Sequence, residues 1–132
     1  MAARPLKILL VENHDDTLVC LTAYLESCGH RVRSAGDVET ALQSLAATPV
    51  DVLISDIGLP NGDGWQLMRR LAERKVAVPF GIAMSGYGRP SDLAKSRRAG
   101  YRHHLAKPFL PEELEPLLIE AAADAENFRP QA

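Results

Sequence analysis

The sequence predicts a doubly wound α/β fold, with a five-stranded parallel sheet and helices on both faces. Three observations lead there. Short apolar runs alternate with stretches of helical periodicity five times in succession, the pattern that builds a parallel sheet. Two of the runs, 6–11 and 50–54, are apolar almost without a break, as strands buried on both faces are. Glycine, proline, asparagine and aspartate mark the junctions, above all in 58–64.

The first run, LKILLV, lies between Pro5 and Glu12-Asn13 and reads as a buried strand. Asp15 and Asp16 suit a helix start, Leu18, Leu21, Leu25 and Cys28 recur at helical spacing, and Gly29 supplies the stop. HRVRSA, from His30 to Ala35, alternates as a more exposed edge strand does. Asp37 caps a helix with Val38, Ala41, Leu42 and Leu45 on one face, ended by Thr48-Pro49. The second run follows and ends in Ser55 and Asp56. Beyond the glycine loop, Trp65, Met68, Leu71 and Ala72 outline a third helix to about Arg74. PFGIAM is a fourth strand, closed by Ser85 and a turn at Gly86-Tyr87-Gly88. Pro90 and Ser91 open a fourth helix whose only clear apolar residues are Leu93 and Ala94, so it is expected to be the least firmly held. Gly100 ends it, and a short strand, 102–106, runs into Lys107-Pro108. Pro111 starts the last helix, with Glu112, Glu113 and Glu115 near its positive end and Leu114, Leu117, Leu118 and Ala121 on its buried face. Pro116 inside that helix leaves two readings: a kink, or regular helix that starts only near Pro116.

Composition narrows the function classes. A chain of 132 residues, 46% apolar and 24% charged, is one globular domain with room for a core. A net charge of -2 gives no electrostatic footprint for nucleic acid. The run 6–11 is too short for a signal sequence or a membrane span. Cys20 and Cys28, eight residues apart on one helix, stand roughly 12 Å apart, beyond disulfide reach. Free thiols in a core fit a reducing cytoplasm.

Five features fall at one edge of the expected sheet. Glu12-Asn13 follows the first strand, Asp56 ends the third, Ser85 the fourth, Lys107 follows the fifth, and Gly58 opens the loop beyond Asp56. Open α/β sheets bind their ligands at this edge. Carboxylate, amide and carbonyl oxygens are hard ligands that suit Mg2+, and an ammonium and a hydroxyl suit phosphoryl oxygens. Each residue alone has a plainer reading: Asp56 as a strand cap, Lys107 as a solvated lysine, Ser85 as a helix cap, Glu12-Asn13 as a turn. Their conjunction at separate strand ends is the signal. No histidine or cysteine pair has zinc spacing. Gly58, Gly62 and Gly64 match neither a dinucleotide nor a P-loop pattern. The NGDG segment lacks the closing glutamate of a calcium loop.

The motifs ILLVEN, ISDIGLPNGDG, MSGYG and HLAKPF, within about 6–122, resemble those of response-regulator receiver domains. The resemblance implies a flavodoxin-like (βα)5 sheet of strand order 2-1-3-4-5, and a phosphoacceptor of a two-component phosphorelay rather than an enzyme, catalysing at most its own phosphorylation and dephosphorylation. Asp56 would take a phosphoryl group from a phosphohistidine on a histidine kinase or histidine phosphotransfer protein. Mg2+ would be held by Asp56, Asn13 and the Gly58 carbonyl, with Glu12 acting directly or through water. Lys107 would pair with the phosphoryl group, Ser85 would move to hydrogen-bond it, and the Lys107-Pro108 bond would be cis. The change would pass to a downstream protein through the fourth helix, fifth strand and fifth helix of a cytoplasmic monomer or weak dimer, with no direct nucleic-acid contact and no membrane insertion.

Two positions depart from the family pattern. The second acid after the first strand is Asn13, which brings no charge and is expected to weaken Mg2+ binding. The aromatic switch position three residues before the lysine is His104. Its imidazole either packs and switches as the aromatic ring would, with Ser85, or is a half-exposed surface residue. Tyr101 is expected to pack at the strand's start. Lys95, Arg97, Arg98, Arg102 and His103 form a basic run that is either a solvated face or a docking face for an acidic partner. Two other classes compete: a phosphate-handling enzyme or flavin binder on the same sheet, and a receiver-like module that is never phosphorylated. Gly58 stands where a phosphohydrolase would want a second acid, Glu12-Asn13 is the wrong charge for a flavin phosphate, and intact Asp56, Ser85 and Lys107 argue for the phosphoacceptor. The receiver is expected over 1–122, with a helix end and tail over 123–132 and no output domain.

Overall fold

A computed structural model describes residues 4–60, 62–74, 78–86 and 89–127. Five parallel strands, β1 (Lys7–Val11), β2 (Arg31–Ala35), β3 (Val52–Asp56), β4 (Phe80–Ser85) and β5 (His103–Ala106), form one sheet in the order β2-β1-β3-β4-β5. The helices are α1 (Asp15–Ser27), α2 (Val38–Ala47), α3 (Gly64–Glu73), α4 (Pro90–Ala99) and α5 (Glu115–Asn127). The two most apolar strands are adjacent, and the alternating strand lies at the edge. The part of the expected turn at Tyr87-Gly88, and the tail from 128 onward, lie outside the described residues.

Alternation along the strands makes two cores. Leu9, Val11, Leu53 and Ala83 face α2 and α3, where they meet Val38, Leu42, Leu45, Leu67, Met68 and Leu71. Ile8, Leu10, Val52, Ile54, Ile82 and Met84 face α1 and α5, where they meet Leu21, Leu25, Leu114 and Leu118. All five residues of β3 are buried, which is why its sequence reads as a continuous run.

One detail differs from the sequence reading, and the structure decides two that it left open. The buried stripe of α3 is Gly64, Leu67, Met68 and Leu71, with Trp65 half-buried and Ala72 exposed, because the Asp63 side chain caps the helix by accepting from Gln66 N–H and so sets its start. The last helix is preceded by a 3-10 turn, Pro111–Leu114, and Pro116 is the second residue of α5, where its missing N–H costs no intrahelical bond. The first residue of α1 is Asp15, and His14 occupies the N-cap position.

Candidate functional site

Register brings the functional side chains together. Val11 pairs with Ser55, so Glu12 emerges beside Asp56; Asp56 pairs with Met84, so Ser85 projects one residue further; Ser85 pairs with Ala106, which sets Lys107 over the same edge. The Lys107 N–H donates to the Ser85 carbonyl at 2.7 Å, and the Lys107-Pro108 bond is cis. Asp56, Ser85 and Lys107 line one cleft of about 740 Å³, together with His14, Gly58, Asp63, Trp65 and Lys95.

Lys107 organises the charges. Its ammonium donates to Glu12 Oε1 at 2.7 Å and to Asp56 Oδ2 at 3.0 Å. The remaining oxygens meet backbone donors: Glu12 Oε2 accepts from the Asn13 and His14 N–H groups, and Asp56 Oδ1 accepts from the Gly58 N–H at 3.0 Å. Burial is the strongest single influence on Glu12 and opposes its charge, but Lys107, the His14 N–H and the His14 ring together hold its pKa below the ordinary value. For Asp56 the balance goes the other way. Burial, aided by the nearby Glu12 charge, raises its pKa despite Lys107 and the Gly58 N–H. Burial works to lower the pKa of Lys107, and the two carboxylates more than offset it, leaving it raised. The site therefore holds two carboxylates on one ammonium, with Glu12 drawn below its ordinary value and Asp56 pushed above it.

The structure brings together Glu12, Asp56, Lys107 and Ser85 as expected, and it adds His14. The imidazole Nδ1 of His14 lies 3.3 Å from Glu12 Oε2, and ligand atoms of Glu12, His14 and Asp56 all fall within 4.8 Å of one another. Two hard carboxylate oxygens side by side, with one ammonium between them, leave a net negative charge that suits a divalent cation. Asn13 is exposed beside Glu12, and Gly58 presents its N–H to Asp56.

His104 is bonded on both sides of its ring. It is half-buried, with Nε2 at 2.7 Å from Ser85 Oγ and Nδ1 at 2.7 Å from Ser96 Oγ. Ser96, which sequence reasoning passed over, is the one residue of α4 that is buried. Its only sequence signal is its position three residues after Leu93 and three before Ala99, the spacing of an inward face. Tyr101 packs as expected, 2% exposed, and its hydroxyl donates to the Gly64 carbonyl at 2.6 Å.

Comparison with known proteins agrees with this architecture. The family model of the response regulator receiver domain matches residues 8–119. An uncharacterized 14.6 kDa protein of Leptolyngbya boryana is 34% identical over 109 residues, covering 81% of this chain and 82% of that one. The virulence sensor protein BvgS of Bordetella bronchiseptica is 30% identical over 126 residues, which cover 91% of this chain but only 10% of the sensor. A crystal structure of a putative response regulator from Chloroflexus aurantiacus is 30% identical, with a TM-score of 0.80 over 91% of this chain and 99% of that one.

Proposed function

This chain belongs to the response regulator receiver domain family of two-component signalling, and from that premise we propose that Asp56 is its phosphoacceptor. The observation that carries the reading is the Lys107 ammonium bonded to both Glu12 and Asp56, a cation held between two carboxylates at the ends of neighbouring strands. An Asp56 oxygen attacks the phosphorus of a phosphohistidine on a histidine kinase or histidine phosphotransfer protein. The new P–O bond forms as the P–N bond breaks, and the imidazole leaves with its electron pair and takes up a proton. Positioning and neutralisation of charge do most of the work in such a transfer. As the phosphoryl group arrives, Lys107 pairs with one of its oxygens and the Ser85 hydroxyl donates to another. Asp56, Glu12, Asn13 and the Gly58 carbonyl would hold Mg2+, which when bound neutralises phosphoryl charge.

Signal output by way of α4, β5 and α5 accords with His104 lying between Ser85 and α4. Among the described residues no helix is long and apolar enough to cross a membrane. A cytoplasmic setting accords with two free cysteines.

The test is incubation with acetyl phosphate or beryllofluoride, with and without Mg2+, followed by intact mass and Trp65 fluorescence. Wild type is expected to gain one phosphoryl mass from acetyl phosphate and to change fluorescence with either reagent, in each case with Mg2+ only. A response that survives in Asp56→Asn overturns the reading.

A further inference from the structure

A run of polar side chains lies directly behind the site. The Trp65 indole N–H of α3 donates to Ser96 Oγ of α4 at 2.8 Å. Ser96 Oγ lies 2.7 Å from His104 Nδ1 of β5, and His104 Nε2 lies 2.7 Å from Ser85 Oγ of β4. Ser85 and Ser96 are buried and the two rings are half-buried, so these bonds are sheltered from water. The Lys95 ammonium sits 4.2 Å from the indole ring centre and helps to hold it in place. Four elements are thus linked by one run that ends in the Asp56 cleft.

Counting protons gives the run a direction. An indole N–H only donates, so Ser96 Oγ accepts at that end. An ionised phosphoryl oxygen only accepts, so a Ser85 hydroxyl bonded to it has committed its single proton. Ser85 Oγ then meets His104 as an acceptor, and Nε2 must carry the hydrogen. In a neutral ring Nδ1 is then bare, and Ser96 must donate to it.

We propose that Trp65, Ser96 and His104 are positioning residues for phosphoryl capture. With the site occupied, every bond points one way, from the Trp65 N–H through Ser96 and His104 to Ser85 and the phosphoryl oxygen. Bonds aligned in this way polarise one another and strengthen the last donor, the one that faces the anion. The proposal rests on the reading of Asp56 as the phosphoacceptor, and it gives α4 a part in that chemistry through Ser96, a buried side chain that does not line the cleft.

The experiment uses the full chain, labelled with 15N, and beryllofluoride with Mg2+ as the probe at pH 8, above the ordinary imidazole range. Long-range proton–nitrogen spectra are expected to show His104 with hydrogen on Nε2 and a bare Nδ1 in the bound state, with a shift of the Trp65 indole resonance on binding. Ser96→Ala is expected to weaken beryllofluoride about fivefold, the worth of one hydrogen bond, and to abolish the Trp65 shift; Ser96→Thr, which keeps the hydroxyl, should restore both. Hydrogen on His104 Nδ1 in the bound state overturns the proposal. So does a Ser96→Ala protein that binds and responds like wild type, or a threonine that fails to restore what alanine removed. Beryllofluoride that does not bind wild type, or binds Asp56→Asn equally well, overturns the phosphoacceptor reading and the proposal with it, whereas the wrong tautomer in an Asp56-dependent complex overturns the proposal alone.

Discussion

α3 and α4 are neighbours of ten residues each, and they are held to the sheet in opposite ways. α3 buries Leu67, Met68 and Leu71 almost completely, whereas α4 buries a single serine and leaves Leu93 43% exposed. Apolar burial has no direction and does not depend on what the site holds. The bonds of Ser96 do have direction, and the run they belong to reaches Ser85. The contrast divides the molecule into a body fixed by two apolar cores, which carries Glu12 and Asp56, and a flank, α4, beside the ends of β4 and β5, whose position depends on a few polar contacts. A signalling domain needs both: a site that does not move, and a neighbour that can.

The largest expected effect tests that division directly. Leu67→Ala removes side-chain volume from a completely buried position in α3 and is expected to cost about 2–5 kcal/mol. Leu93→Ala on α4 is expected to stay within about 0.5 kcal/mol. Urea denaturation measures both, and comparable losses would break the contrast. Hydrogen exchange should agree, with α4 amides exchanging before those of α3.

The next effect falls where α3 meets the site. A Cβ on Gly64 would stand 2.7 Å from the Asp56 carbonyl oxygen and 3.0 Å from Ile57 Cα. Gly64 is thus required for close approach of the helix start to the strand that carries Asp56. Gly64→Ala is expected to cost about 1–3 kcal/mol and to weaken beryllofluoride binding, because the backbone that must shift is that of Asp56, the proposed phosphoacceptor. Full stability with unchanged binding would show that the body is less rigid than its packing implies.

How much of this the sequence disclosed follows the same line. β1 and β3 were legible because strands buried on both faces leave continuous apolar runs, and Asp56, Ser85 and Lys107 were legible because strand ends locate themselves once the strands are known. Periodicity alone draws the face of α3 towards Trp65 and Ala72, whereas its start is set by the Asp63 cap. Pro116 kept two readings until the 3-10 turn before it decided between them. Ser96 and His104 were the hardest, because periodicity records apolar residues. A polar side chain becomes part of an interior through partners 8, 19 and 31 residues away along the chain, as the bonds of Ser96 and His104 do.

A smaller effect is expected in the loop after β1. Asn13 is exposed beside Glu12 and brings no charge to the cation side of the site. Asn13→Asp is expected to tighten Mg2+ on the order of tenfold, since ligand charge count is a main determinant of affinity for a hard cation. Titration followed by Trp65 fluorescence measures it. No gain would overturn the expectation that the missing charge at position 13 weakens the site.

The smallest effect belongs to the body alone, at the end of the sheet away from the site. His30 is buried just before β2, and its Nδ1 accepts the Leu6 N–H at 3.1 Å. Burial holds its pKa below the ordinary 6.5. The unfolded chain therefore takes up this proton first as pH falls, so the contribution of His30 is fully present above about 6.5 and is lost as pH drops from there through the folded-state value. Glu12, also lowered, has the same sign but acts beneath its own ordinary 4.5; Asp56, raised, has the opposite sign and favours the fold as acid neutralises it. Between mildly alkaline and mildly acidic pH, His30 should thus be a source of lost stability. Urea denaturation at pH 8 and pH 5.5 is expected to show a loss in wild type that is smaller in His30→Gln. An equal loss in both would show that His30 is not its source.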